Sequence, residues 1–174
     1  MGKIRSTPPV KLIVGFIYHQ EKYPLAAQKI LIKHFGPVDF TSRPLAFGYT
    51  DYYQKEFGAD LKKSFICFKK LINPVAIAKV KHLCNRIEEK LSGGATGRLI
   101  NIDPGYLTLA KFVLATTKDY SHRIYLNRGI YAEITLSYKK NSFCSLPWTY
   151  PDYGSAEYIA IFNQIREIYH KQIL

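Results

Sequence analysis

The sequence is poor in cysteine and contains no long apolar run. It has three cysteines, Cys67, Cys84 and Cys144, and none is spaced as Cys-x-x-Cys. An odd number in this arrangement excludes a disulfide framework and the common zinc and redox motifs, and it is typical of reduced thiols in a cytoplasmic protein. No stretch approaches the ~20 apolar residues of a membrane-spanning helix, so we expect no contact with a membrane.

Short catalytic signatures are missing as well. The glycine-rich stretch "SGGATGR" at residues 92–98 lacks the Gly-Lys-Ser/Thr ending of a phosphate loop and leads from a predicted helix into a strand. A phosphate loop runs from a strand into a helix, so we interpret this stretch as a turn. Histidines at the spacing of zinc ligands are also lacking, which argues against a zinc site.

Acidic residues are few relative to basic ones. The chain has 25 Lys and Arg against 13 Asp and Glu, a formal net charge of +12, and residues 1–70 hold twelve basic against five acidic residues. This excess attracts phosphates or nucleic acid. The basic residues that we expect on the surface of this part are Lys3, Arg5, Lys11, Lys62, Lys63, Lys69 and Lys70. They support one hypothesis, a module that binds RNA or another acidic partner.

Apolar periodicity predicts one domain over residues 1–174, with residues 1–9 as a flexible N-terminus. Val10–Tyr18 is a nearly continuous apolar strand, and helical spacing follows from Pro24 until Gly36. Asn73 and Ser155 are predicted N-caps of two further helices. The order β-α-β-β-α-β, then a hairpin and a helix, predicts an α+β fold: a mostly antiparallel mixed sheet with helices packed on it and a ferredoxin-like half.

The stretch "TTKDYSHRIYLNRGIYAEITL", residues 116–136, contains the hairpin. A three-residue loop at 127–129 pairs Tyr125 with Tyr131 and brings Arg123 and Glu133 to one face. The apolar residues predicted on the core face are Ile124, Leu126, Ile130, Ala132, Ile134 and Leu136. The polar face is either a solvated face with an ion pair or a site, because Lys118, His122, Arg123 and Glu133 suit anion binding and proton transfer.

Two other groups of residues are candidates for a site. Asp103 in "NIDPGY" is predicted to end a strand in an Asp-Pro-Gly turn, where turn chemistry alone also explains it. The stretches "YTDYYQKEFG" and "PWTYPDYGS" combine tyrosines and tryptophan with acids such as Asp152. Their aromatic rings can stack on a base or sugar, although they can equally cover the edge of the core.

Five segments in order, "TDYYQKEFG", "NIDPGY", "LATTKDYSHRIYL", "GIYAEITL" and "WTYPDY", resemble the motif series of a prokaryotic family called domain of unknown function 4416. The resemblance covers roughly residues 10–174. It implies no established reaction. It does imply that these separated motifs belong to one module, so that their polar residues are expected to meet in one cleft.

The first hypothesis for function is therefore a protein that binds a phosphorylated or nucleotide-like small molecule, with catalysis left open. In it, Lys118 and Arg123 hold the anion, and Glu133 or His122 serves as acid or base. The stacking residues would be Tyr52, Tyr53, Trp148 and Tyr150. Asp103 and Asp152 are candidate ligands for Mg²⁺. The sequence does not decide the oligomeric state, and a hairpin that pairs with itself in a dimer is a third possibility.

Overall fold

One antiparallel sheet organises the chain. The computed structural model describes residues 2–49, 56, 58–94 and 97–174. Within these residues the strands are β1 (Lys11–Tyr18), β2 (Val38–Thr41), β3 (Leu45–Ala46), β4 (Lys62–Phe68), β5 (Ile100–Leu107), β6 (Lys111–Thr116), β7 (Ile124–Asn127), β8 (Ile130–Lys139) and β9 (Ser142–Ser145). The α-helices of the same residues are α1 (Lys22–Phe35), α2 (Ile77–Ser92) and α3 (Ala156–Ile173).

Four neighbouring strands of the sheet, β2-β4-β1-β5, have a ferredoxin-like order. The path through the sheet is β2-β4-β1-β5-β6-β8-β7, with β3 also beside β4 and β9 beside β8. All these pairings are antiparallel. Consequently β1 and β2 run parallel on either side of β4, joined by α1, and α2 joins β4 to β5 in the same way. This confirms the predicted α+β fold, and β6 to β9 extend the sheet beyond its ferredoxin-like half.

Helices cover both faces of the sheet. Leu12, Val14 and Phe16 of β1 pack in one core with α1 and α2, whereas Ile13 belongs to a second core with α3. Because successive side chains of a strand point to opposite faces, a strand in this position must be apolar on both. The continuous apolar run of β1 is explained by this double burial.

Side-chain caps begin two of the predicted helical segments. The Asn73 side chain accepts a hydrogen bond from the Val75 N–H at 3.0 Å, at the start of a 3₁₀ turn that leads into α2. The Ser155 hydroxyl accepts from the Tyr158 N–H at 3.3 Å at the start of α3. Each cap satisfies a backbone donor that the first turn of a helix leaves without a partner. The predicted caps are therefore confirmed.

The Asp-Pro-Gly segment is not a turn, as the sequence predicted, but the middle of β5. Gly105 lies there because β6 passes very close. A Cβ atom at Gly105 would lie 2.6 Å from the Val113 carbonyl oxygen and 2.7 Å from the Phe112 ring. The glycine in this motif therefore serves strand packing and not a change of chain direction.

The predicted hairpin forms, but part of its core face was predicted wrongly. Tyr125 does pair with Tyr131. However, Ile124 is 69% exposed because β7 is the outermost strand, and Leu126 and Ile134 are exposed as well. Glu133 is instead buried, with 1% of its surface exposed. A bulge in the pairing of β6 with β8, between Phe112 and Val113, breaks the regular alternation nearby.

Two lysines predicted on the basic surface are buried. Lys11 and Lys63 have 0% and 2% of their surface exposed, and they form ion pairs with Asp39 and Asp152. Residues 2–9 are exposed and form no regular secondary structure. None of the helices in the described part of the chain is long and apolar enough to cross a bilayer.

Candidate functional site

A cleft opens where β5 and β6 separate. The pairing of these strands covers only three residue pairs, from Leu107 with Phe112 to Gly105 with Leu114. Pro104, the next residue of β5, has no N–H to donate to a strand partner. Beyond it the two strands diverge around a cavity of about 620 Å³, which we call the β5–β6 cleft. Its volume lies within the range of ~300 to 1,000 Å³ that is usual for small-molecule sites.

Two side chains of α2 replace the missing strand partner of β5. The Lys81 ammonium donates to the Ile102 carbonyl oxygen at 2.9 Å, and the Ile102 N–H donates to the Glu88 carboxylate at 2.6 Å. Lys81 and Glu88 lie two helical turns apart and therefore share one face of α2. Buried backbone groups need partners, so these bonds stabilise the open edge of β5. Both side chains also line the β5–β6 cleft.

The electrostatics of this pair are unusual. Burial raises the pKa of Glu88 to about 7, although Lys81, the Ile102 N–H and Arg98 act in the opposite direction. Burial would also lower the pKa of Lys81, but Asp103 and Glu88 outweigh it and raise that pKa above its ordinary value. Near pH 7, Glu88 is therefore protonated in part of the molecules, whereas Lys81 stays positively charged.

Asp103 is held as an ion between two lysines. It accepts from the Lys81 ammonium at 3.2 Å and from the Asn101 amide at 2.5 Å. Burial would raise the pKa of Asp103, but the positive charges of Lys81 and Lys63 and these hydrogen bonds lower it below its ordinary value. Asp103 thus holds the Lys81 ammonium in place, and it stays ionised at neutral pH.

Lys63 lies at the base of the β5–β6 cleft. Its ammonium donates to the Asp152 carboxylate at 2.6 Å, and it lies 4.1 Å from the centre of the Tyr153 ring. The rings of Phe47 and Tyr158 are each 5.5 Å away. The ion pair and the surrounding aromatic rings both interact favourably with the buried ammonium and offset part of its lost hydration.

Glu133 of β8 is the centre of a third network. It accepts from the guanidinium of Arg123 at 2.8 Å and from the Thr135 hydroxyl at 3.0 Å, and it lies 3.0 Å from His122 Nε2. Arg123 also donates to the carbonyl oxygen of Lys118 at 3.0 Å. Arg123 thereby connects the buried carboxylate to the segment that carries Lys118.

The predicted site residues divide into those that line the β5–β6 cleft and those beside it. The predicted residues that line it are Asp103, Lys118, Arg123, Glu133, Tyr150 and Asp152. His122 and Trp148 are beside it, with ring centres 5.2 Å apart and planes at 12°. Tyr52 and Tyr53 lie outside the described residues, as do Asp51 and Phe57 of the same segment.

The candidate magnesium ligands already have cationic partners. Asp103 binds the Lys81 ammonium and Asp152 binds the Lys63 ammonium, so a divalent cation would have to displace a lysine from each. Within residues 2–49, 56, 58–94 and 97–174, no three His, Cys, Asp or Glu side chains meet to hold a metal ion. The donor set therefore does not favour Mg²⁺.

Sequence reasoning did not assign five charged residues to the cleft, namely Lys63, Lys81, Glu88, Glu89 and Arg98. The sequence does contain a pattern that indicates two of them, Lys81 and Glu88. Lys81 and Glu88 fall in the apolar stripe of α2, at helical spacing with the buried Ala78 and Cys84. A charged residue on the core face of an amphipathic helix needs a buried partner, and this expectation points to a polar network.

Comparison with known proteins places the chain in a family. A family model described as "Domain of unknown function (DUF4416)" matches residues 8–169 of the 174. Neither the curated proteins nor the solved structures include a match to this sequence. Since the match spans nearly the whole chain, and therefore every residue of the β5–β6 cleft, the protein belongs to the DUF4416 family.

Proposed function

We propose that the β5–β6 cleft binds a phosphorylated or nucleotide-like small molecule, and that the protein is either a binding protein or an enzyme for that ligand. The observation that carries this proposal is the convergence of separated motifs on one cavity. Asp103, Lys118, Glu133 and Tyr150 are widely separated in sequence, yet all of them line the same cleft. A purely structural role would not require polar residues from so many segments to surround one open volume.

The base and the rim of the cleft suit different parts of such a ligand. Lys63 and Lys81 contribute fixed positive charge at the base, and Lys118 is an exposed cation at the rim. Tyr49 and Tyr150 also line the cleft and are 43% and 45% exposed. Charged groups of this kind hold a phosphate, and exposed aromatic rings stack on a base or sugar.

The contacts favour supporting roles for Arg123 and Glu133. Arg123 donates to Glu133 and to the Lys118 carbonyl oxygen, so it fixes the segment that brings Lys118 to the rim. Glu133 is surrounded by three donors, including His122, which suits a carboxylate that orients its neighbours. Direct contact with the ligand is therefore assigned to Lys118, Tyr49 and Tyr150.

The alternative, a module for RNA or another acidic partner, has less support. Lys11 and Lys63 do not contribute to an exposed basic surface, and Lys62 forms an ion pair with Glu21. Proteins that bind RNA on a sheet expose aromatic rings on one face, whereas helices cover both faces of this sheet.

The proposal is tested by a thermal-shift panel of inorganic phosphate, nucleoside monophosphates, sugar phosphates and short RNA. The proteins compared are the wild type, Lys118→Gln and the control Lys139→Gln, which removes the same charge from an exposed position outside the cleft. A ligand at ~100 times its Kd stabilises the wild type by about 2.7 kcal/mol. For a domain of this size, that is a rise in Tm of roughly 5 to 10 °C.

We expect Lys118→Gln to weaken binding about 10- to 100-fold, the usual effect of losing one charge-assisted hydrogen bond, and Lys139→Gln to bind as the wild type does. Equal loss in both variants would contradict the assignment of the site. If no small phosphate stabilises the protein and only RNA does, in a manner that salt abolishes, the RNA alternative is favoured.

A further inference from the structure

Among the residues that the structure describes, the charged side chains that line the β5–β6 cleft balance. The cations in its lining are Lys63, Lys81, Arg98, Lys118 and Arg123. The carboxylates in its lining are Glu88, Glu89, Asp103, Glu133 and Asp152. When all are ionised, these side chains have no net formal charge. An anion that enters the cleft therefore adds negative charge that the lining does not offset, and protonation of one carboxylate would restore the balance.

Each of the four buried or partly buried carboxylates has a cation within ion-pair distance, and three of them also accept a hydrogen bond from it. Asp103, Asp152 and Glu133 lie 3.2, 2.6 and 2.8 Å from the nitrogen of a lysine or arginine side chain. Protonation of any of them would leave its cation without a counter-charge. Glu89 is exposed and therefore solvated by water.

Glu88 differs from the others. Its Oε1 accepts the Ile102 N–H, whereas its Oε2 lies 3.6 Å from the Arg98 guanidinium, beyond hydrogen-bonding distance. Only 6% of its residue surface is exposed, on the face of α2 that lines the cleft. Glu88 can therefore gain a proton on Oε2 without losing its bond to β5.

The charged and titratable groups that face Glu88 come from α2, from β5 and from the segment before β5. Lys81 and Arg98 favour its ionised form and Asp103 opposes it. Cys84, on the same helix, stays neutral because burial raises its pKa to about 12. With burial as the largest cause, the pKa of Glu88 is about 7, so a modest added negative charge is enough to protonate it at neutral pH.

We propose that Glu88 takes up a proton from solvent when an anionic ligand enters the β5–β6 cleft, and that its Oε2–H then donates a hydrogen bond to an oxygen of that anion. This inference rests on the proposed function, since it concerns the same cleft. It specifies the ligand class further, as an anion with an acceptor oxygen that can reach Glu88, such as a phosphate ester. The only bond that forms is Oε2–H, its proton comes from water or buffer, which is left as the conjugate base, and no bond of the ligand changes.

Proton uptake makes affinity depend on pH. For one group that titrates near pH 7 in the free protein and stays protonated in the complex, Kd rises about tenfold between pH 6 and pH 8. Glu88→Gln imitates the protonated side chain, because the amide keeps an acceptor for the Ile102 N–H and has donors for the ligand. The variant should therefore bind at pH 8 about as tightly as the wild type binds at pH 6.

The test measures Kd at pH 6 and pH 8 for each compound of the ligand panel, together with a cyclic nucleotide, whose phosphate diester does not titrate in this range. The proteins are the wild type, Glu88→Gln and the control Glu167→Gln, the same change at an exposed residue of α3 that does not line the cleft. Calorimetry of the wild type in buffers of different ionisation enthalpy counts the protons taken up, and this measurement does not depend on any variant.

Between pH 6 and pH 8, we expect Kd to rise about tenfold for the wild type and for Glu167→Gln and to change little for Glu88→Gln. Calorimetry of the wild type should show uptake of nearly one proton at pH 8. Binding that is tight but equally dependent on pH in wild type and Glu88→Gln, or that takes up no proton, overturns this inference and leaves the proposed function intact. Absence of binding by every compound at both pH values overturns both.

Discussion

The burial of Glu88 predicts a stability that depends on pH in a specific window. The folded protein holds the Glu88 proton more tightly than the unfolded chain does, since its pKa is about 7 against an ordinary value of 4.5. A carboxyl whose pKa is raised by folding stabilises the protein at low pH, and this stabilisation is lost as the pH rises from about 4.5 to about 7. Above that range, both states are ionised and the contribution stays constant.

The size of the effect follows from the pKa difference. At about 1.4 kcal/mol for each pKa unit, a rise of roughly 2.5 units corresponds to about 3 kcal/mol between pH 4.5 and pH 8. Asp103 and Lys81 affect stability at other pH values. The lowered pKa of Asp103 changes stability below pH 3.8, and the raised pKa of Lys81 changes it above pH 10.5. Neither therefore contributes to the change between pH 4.5 and pH 8.

The assay is urea unfolding of the wild type, Glu88→Gln and Glu89→Gln at several pH values from 4.5 to 8, without ligand. We expect the wild type to lose about 2 to 3 kcal/mol relative to Glu88→Gln over this range, because the amide has no charge to bury. The free energy of unfolding of Glu89→Gln should depend on pH in the same way as that of the wild type, because Glu89 is exposed. Parallel curves for wild type and Glu88→Gln would refute the reasoning, because Glu88 would then ionise equally well in the folded and unfolded states.

Three further predictions concern stability and can be measured by the same urea unfolding at neutral pH. Gly105→Ala should lower the free energy of unfolding by about 1 to 3 kcal/mol, because the new Cβ would lie 2.6 Å from the Val113 carbonyl oxygen. The control Gly48→Ala, whose Cβ would have no atom within 4 Å, should change it by less than about 0.5 kcal/mol. Arg123→Ala should cost about 3 kcal/mol or more by leaving the buried Glu133 charge without its cation, and adding Glu133→Gln should recover part of this loss if the charge is the cause. Ser155→Ala should cost about 1 kcal/mol by removing the cap of α3, and an unchanged stability would show that the cap contributes nothing.

The sequence predicted those parts of the fold that local chemistry determines. β1, α2 and α3 follow from an apolar run, from helical periodicity and from the caps Asn73 and Ser155. The order of these elements was enough to predict the ferredoxin-like half, because few topologies join such elements with short connections. The site itself stays a prediction: the chemistry of Lys118, Arg123 and Glu133 indicated these residues, and all three line the β5–β6 cleft.

What the sequence did not predict depends on contacts between distant segments. Glu133 is buried, and Ile124 is exposed, because the sheet ends at β7 and a bulge disturbs the pairing of β6 with β8. Neither feature can be read from the alternation of apolar and polar residues in the sequence of β8. Lys63 was assigned to a basic surface because its partner Asp152 lies 89 residues away, and no local pattern connects the two.

The segment "NIDPGY" shows how one short motif can shape a cleft through the packing of its backbone. Gly105 lets β6 approach β5 closely, and Pro104 stands where their pairing stops. The opening that follows exposes the edge of β5 at Ile102, and α2 must then supply Lys81 and Glu88 to satisfy it. Lys81 and Glu88 therefore have two roles. They bond to the backbone of β5, and they provide the β5–β6 cleft with a buried cation and with a carboxyl whose pKa is about 7. The sequence Asp-Pro-Gly predicted a turn here. A turn would have ended β5 at this point, and β5 and β6 would then enclose no cleft.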